Sequence, residues 1–144
     1  MKGYQESELV SNRSGVLLWG GSEDDRRAWV EEVASRLGCQ VKVVLTPADV
    51  GTALRAARDV VFIPGATLLP DEVQLAVVRC LREQEERPKL VLGVSKPADR
   101  TRLRPDLDYA LALGRLDLDA PGVREAIRGR RKVAASKAAK KKKR

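Results

Sequence analysis

The chain has no histidine and only two cysteines among 144 residues, and aromatic residues make up 3% of it. Without histidine there is no imidazole base, no Ser-His-Asp triad and no histidine-containing zinc site. Cys39 and Cys80 are far apart and lack CxxC spacing, so neither a zinc knuckle nor a redox motif is indicated. Cys39 follows Gly38 at an expected helix end, and Cys80 sits in an apolar helical stripe. Both are expected to be free, buried thiols. No apolar run approaches the roughly 18 residues of a membrane span, and the opening MKGYQESELV lacks signal-peptide character. The expectation is therefore a protein of the reducing cytoplasm. With few aromatics the core must be built from Val, Leu, Ile and Ala, which favours parallel strands covered by helices over an aromatic-rich sandwich.

The net charge of +8 is unevenly distributed. From Lys132 to Arg144 there are seven basic residues and no acid, leaving 21 basic against 20 acidic residues in residues 1–131. The body of the chain is nearly neutral, and the basic character belongs to the C-terminus.

Three regions are predicted: a polar N-terminal arm at 1–14, one α/β domain at 15–124, and a basic, disordered tail at 125–144. Gly15 to Gly21 contains a short apolar run ended by glycines, which suits a strand buried on both faces. Ser22, followed by Glu23, Asp24 and Asp25 and then by Ala28, Trp29, Val33 and Leu37, predicts a capped amphipathic helix stopped by Gly38. Strands are expected at 41–45, 60–63 and 90–94, and a fifth at either 110–113 or 116–118. Helices are expected at 47–57 and from Leu69-Pro70-Asp71-Glu72 to Arg87-Pro88. Alternating β and α units imply a parallel sheet between helical layers, whose functional crevice lies at the carboxyl ends of the strands.

The turn Gly20-Gly21-Ser22-Glu23-Asp24-Asp25-Arg26-Arg27 stands between strand and helix, where a GxxxxGK phosphate loop would sit. Gly20 keeps the first glycine, Asp25 replaces the second and Arg26 replaces the lysine. Further on, Val60-Val61-Phe62-Ile63-Pro64-Gly65, the helix Leu69-Pro70-Asp71-Glu72-Val73-Gln74, the segment Leu103-Arg104-Pro105-Asp106-Leu107 and the turn Leu116-Asp117-Leu118-Asp119-Ala120-Pro121 follow one another in a recognisable order. Through these residues the stretch from about 16 to 124 resembles a shortened AAA+ domain of the sigma-54-dependent transcription activators. The resemblance implies a three-layer α/β fold with a five-stranded parallel sheet of order 5-1-4-3-2.

It also implies where chemistry is missing. Pro64-Gly65 stand where the family holds magnesium and polarises water, Lys96 stands at the sensor asparagine and Ala110 at the second finger arginine. Asp71 and Glu72 lie nearby, but at the start of the next helix, where they complement its dipole. Residues 45–60 leave no room for the GAFTGA loop, and no lid domain follows Pro121. No catalytic residue, cofactor or metal site is therefore expected. Arg104 alone keeps a finger position: it could act in trans on a neighbouring ATPase, contact another partner, or be a paired surface residue.

A second resemblance, to a degenerate response-regulator receiver with Ser95 at the hydroxyl position, would give the strand order 2-1-3-4-5. Under either reading the expectation is a non-catalytic regulatory module with a protein partner, a transcription regulator or a signalling protein. The tail residues Lys132, Lys137, Lys140, Lys141, Lys142, Lys143 and Arg144 would contact nucleic acid through phosphates, placing the protein on the nucleoid, or would solubilise it or meet an anionic membrane surface. A non-specific nucleic-acid-binding protein is the competing class.

Overall fold

The computed structural model describes residues 3–142, with side chains as far as Ala134. Five parallel strands form one sheet: β1 (Val16–Trp19), β2 (Val41–Val43), β3 (Val60–Ile63), β4 (Lys89–Gly93) and β5 (Arg115–Asp117). Their spatial order is β2-β3-β4-β1-β5. This is the order implied by the AAA+ resemblance, and it sets aside the receiver alternative. In register, Leu17 of β1 lies beside Leu92 on one side and Arg115 on the other.

Side chains alternate across the sheet because successive residues of a strand point to opposite faces. Leu17, Val61, Ile63, Leu90 and Leu92 pack on one face against Val77 and Val78 of α4 (Asp71–Glu83) and Leu107 of α5 (Pro105–Ala110). Val16, Leu18, Val60, Phe62, Val91 and Leu116 pack on the other against Trp29, Val30 and Val33 of α2 (Glu23–Leu37). Burial on both faces explains why the strands read as continuous apolar runs.

Several local expectations are met. Ser22 Oγ accepts the Asp25 N–H at 3.0 Å while Asp25 Oδ2 accepts the Ser22 N–H at 2.9 Å, closing a capping box on α2. Gly38 ends that helix in the left-handed conformation. The fifth strand lies at 115–117. Residues 110–113 fall instead at the end of α5, because Pro105 opens a helix there and the one-turn spacing of Leu107 and Leu111 buries both completely. The strand expected at 41–45 stops at Val43. The helix expected at 47–57 is a 3-10 turn at Pro47–Asp49 followed by α3 (Val50–Ala53). Cys80 is buried, whereas Cys39 is only partly so.

The two boundaries need correction. The N-terminal arm is not separate: α1 (Glu6–Leu9) seats Leu9 and Val10 with no exposure against the α2 face of the sheet. Nor does the domain end at residue 124, since α6 (Pro121–Lys142) passes through that boundary, and Val123 and Ile127 pack on the same core.

One charged cluster joins all three helices. Arg130 of α6 donates through Nη2 to Glu6 Oε2 at 2.7 Å, through Nη1 to Glu6 Oε1, and to Glu32 of α2 through Nε at 2.8 Å and Nη2 at 3.0 Å. Trp29 Nε1 donates to the same Glu6 carboxylate at 2.7 Å. The Arg130 hydrogen bonds hold the Glu32 carboxyl below its usual range. Glu6 is only 4% exposed, so losing its guanidinium partner would leave a buried charge uncompensated. Arg130→Ala should lower the unfolding free energy by about 3 kcal/mol in urea titration. The same change at exposed Arg128 should cost less than about 0.5 kcal/mol.

Lys89 at the start of β4 is fully buried, and its Nζ donates to Asn12 Oδ1 at 3.1 Å. Burial, with the Arg13 charge adding to it, pushes this ammonium from its ordinary 10.5 down to about 7. Between those values the unfolded chain binds the proton and the folded chain does not, so this group makes stability rise with pH from about 7 and leaves it flat below. Lys89→Met should therefore be more stable than wild type at pH 7, on the order of 4 kcal/mol, with the gap shrinking as pH rises. Urea midpoints of both proteins at pH 7 and pH 9 check this, and an equal gap at both would contradict it.

Candidate functional site

The carboxyl ends of β1, β3 and β4 meet at one edge of the sheet. β1 leaves the sheet through Gly20 and Gly21, with φ of +78° and +63°, before Ser22 caps α2. The left-handed backbone and the crowding both demand glycine here. A Cβ on Gly20 would stand 2.6 Å from Asp117 Oδ1, and one on Gly21 would stand 2.9 Å from Asp25 Cβ.

The polar groups of this turn are satisfied from within the chain. Arg26 Nη1 donates to the carbonyls of both Gly20 and Gly21 at 2.9 Å. The Asp25 carboxylate takes the Ser22 N–H, and hydrogen bonds from the Ser22 backbone and then its hydroxyl hold this carboxyl below its usual range. Both residues that depart from a phosphate loop therefore have structural work. Asp25 puts a negative charge at the N-terminus of α2, where an incoming phosphate would have to stand, and Arg26 folds back onto the loop carbonyls.

Beside the turn lies a cleft of about 350 Å³ bounded by Arg26, Phe62, Pro64, Val94 and Ser95. Pro64-Gly65 follow β3 directly, so neither position offers a carboxylate to this cleft. Lys96 is exposed, and its backbone N–H donates to Asp99 Oδ2 at 3.0 Å. Among the described residues, no group of three or more His, Cys, Asp or Glu side chains could hold a metal ion.

Arg104 sits at the other side of the domain edge, just before α5. Its Nη1 donates to Asp71 Oδ2 at 2.5 Å, while Nε and Nη2 make a bidentate pair with Asp106 at 3.0 and 3.1 Å. That pair holds the Asp106 carboxyl low. The Arg104 backbone N–H donates to Gln74 Oε1 at 2.8 Å, and Gln74 Nε2 donates to the Leu69 carbonyl at 2.9 Å. The Leu-Pro-Asp-Glu-Val-Gln helix and the Leu-Arg-Pro-Asp-Leu segment, separate in sequence, are thus stitched together. Asp71, an acid in the first turn of α4, receives Arg104.

Of the C-terminal residues, Lys132 is exposed on α6. The side chains of Lys137, Lys140, Lys141 and Lys142, and the whole of Lys143 and Arg144, lie outside the described residues. Nearer the domain, Arg124, Arg128 and Arg131, basic residues ahead of the predicted contact lysines, line a second cleft of about 320 Å³ beside Gly21 and Asp25. Their spacing of four and then three residues, one face of a helix, was the available signal.

The domain superposes on known structures. The fold is that of a P-loop NTPase domain. The P-loop NTPase domain of a sigma-54 transport activator from E. coli superposes with a TM-score of 0.60 at 17% identity, covering 78% of this chain and 87% of that one. NtrX from Brucella abortus, solved in complex with ATP, gives 0.64 at 14% identity over 80% of this chain and 34% of its own. RuvB, the Holliday junction branch migration motor of Thermotoga maritima, gives 0.58 at 20% identity over 74% and 38%. At these identities the likeness is one of fold, and the chain spans little more than a third of the NtrX and RuvB chains. No family model matches the chain, and no curated protein matches it in sequence.

The stitching of the domain by Gln74 is testable. Gln74 is 5% exposed, so Gln74→Ala strands the Leu69 carbonyl and the Arg104 amide and should cost about 1–3 kcal/mol in urea denaturation. Arg104→Ala, whose ion pairs are solvent-facing, should cost under about 1 kcal/mol.

Proposed function

We propose that this chain is a non-catalytic regulatory interaction module in bacterial transcription control, built on a P-loop NTPase-type domain, with a basic C-terminal segment that contacts nucleic acid. The observation that carries the reading is the self-satisfied turn at Gly20–Arg26. The Asp25 carboxylate occupies the helix N-terminus, Arg26 is bonded to the Gly20 and Gly21 carbonyls, and Pro64-Gly65 offer magnesium no ligand. A nucleoside triphosphate would meet Asp25, Glu23 and Asp24 where it needs donors, so these residues do not fit the group, and no step of ATP hydrolysis is assigned to them.

The same sheet edge offers a surface for a protein partner. Leu45 and Leu68 are each 78% exposed. They flank Pro64 and Pro47 around a shallow hollow of about 180 Å³. Exposed leucines grouped at one edge are a protein-binding feature, whereas scattered ones are ordinary. A transcription regulator or signalling protein is the partner class, and Arg104, with Asp71 and Asp106, forms a polar surface beside α4 that such a partner can read. The protein works in the cytoplasm, at the nucleoid, through Lys132, Lys137, Lys140, Lys141, Lys142, Lys143 and Arg144.

Two titrations test the reading. A fluorescent ATP analogue with magnesium should show no saturable binding below about 1 mM, and micromolar affinity would overturn the claim that the turn does not fit a nucleotide. In anisotropy with a short DNA duplex, replacing the four lysines 140–143 by glutamine should lower the slope of log affinity against log salt by about 3.6. An unchanged slope would remove the basic segment from the interface.

A further inference from the structure

The basic C-terminus reads as a loose tail, yet the phosphate-contacting surface begins inside the folded domain. We infer that the cleft between α2, the end of β5 and α6, lined by Arg124, Arg128 and Arg131, is a fixed seat for a nucleic-acid phosphodiester backbone, gripped by the last two. This inference rests on the nucleic-acid contact proposed above and deepens it by naming a rigid site for that contact.

The three arginines occupy one face of α6 at intervals of four and three residues. At 1.5 Å rise per residue they span about 10 Å, close to three steps of a nucleic-acid strand at 3.4 Å each. The cleft they line holds about 320 Å³ and is floored by Leu118 and Ile127. Arg124 is paired with Asp119 at 2.6 Å in an exposed ion pair that a phosphate would have to replace, so Arg128 and Arg131 carry the contact. Arg128 and Arg131 are exposed and form no ion pair among the described residues. The Asp25 carboxylate lies in the same cleft and offsets part of the Arg131 and Arg124 charge, so the seat is centred on Arg128 and Arg131 and Asp25 bars the strand from the N-terminus of α2.

What distinguishes this face from an ordinary solvated stripe is how the helix is held. Arg130, on the domain-facing side of α6, is clamped between Glu6 and Glu32. The clamp sets the rotation of α6, so the helix face that carries residues 128 and 131 keeps its direction in the unbound protein. Charges on a backbone held before binding lose less freedom on meeting a ligand than charges on a flexible chain. Guanidinium forks suit phosphate oxygens, and the absence of any aromatic ring in the cleft removes base stacking. The contact is thus with backbone phosphates and independent of sequence. Lys132, exposed on the next position of α6, leads from this seat into the lysine-rich end.

The test uses the full chain and the double variant Arg128→Gln/Arg131→Gln in anisotropy with a 20-base-pair duplex across a salt series. Both side chains are exposed, so thermal melting should be unchanged. The expected result is a salt slope lower by about 2 and roughly tenfold or greater loss of affinity at low salt. Arg27→Gln, which disturbs only an exposed pair with Glu31 on α2, should leave both unchanged. A double variant with the wild-type slope overturns the inference while the role of the lysine-rich end stands. If the wild-type chain binds no duplex, the nucleic-acid part of the proposed function falls along with it. Saturable binding of inorganic phosphate or ATP that the double variant loses, with duplex binding intact, would make the cleft a small-anion site and equally overturn it.

Discussion

The ion-pair cluster of Arg130 with Glu6 and Glu32 is the constraint on which the arrangement of the outer layer depends. The sheet itself is held by apolar burial, which is non-directional and would tolerate sliding of the helices laid over it. A guanidinium that makes four hydrogen bonds to two carboxylates tolerates no such sliding. It brings α1, α2 and α6 to one point, and Trp29 fastens the same carboxylate to the core. The cost of burying these charges is high, so the cluster acts chiefly by specifying geometry. That specification decides where the basic face of α6 points.

A second theme is the use of binding positions for internal satisfaction. In a P-loop NTPase fold the turn after β1 and the end of β3 are places where backbone and side chains are left unsatisfied for a ligand. Here Asp25 and Arg26 complete the turn themselves, and Pro64 closes the end of β3. Arg104 follows the same pattern, since Asp71 and Asp106 take its donors. Groups already paired give up those bonds before they can meet a ligand. Lys89 runs the other way: a buried lysine with one neutral partner is a local loss of stability that the surrounding sheet outweighs.

Much of the architecture was legible in the residues. The apolar runs at 16–19, 60–63 and 90–93 mark strands buried on both faces, and the Ser22 to Gly38 signals bracket α2 almost to the residue. These features are local, set by propensity, capping and periodicity within a few residues. The short elements at 41–57 and 105–117 were less legible, because four-residue pieces carry too little pattern and Pro105 competes with the strand-like run that follows it.

By itself, then, the sequence determined the sheet, its covering helices, and that Asp25 and Arg26 stand in the turn after β1 and Pro64-Gly65 after β3, because each is a matter of residue identity at a local position. Only the tertiary structure decided that Glu6, Glu32 and Arg130 meet, that the arm and α6 belong to the domain, and that Gln74 and Arg104 are bonded. Those contacts join residues 30 to 124 positions apart, and no local propensity encodes them. A carboxylate at position 6 and a guanidinium at position 130 look like ordinary surface charges until burial beside Trp29 makes each the other's necessary partner.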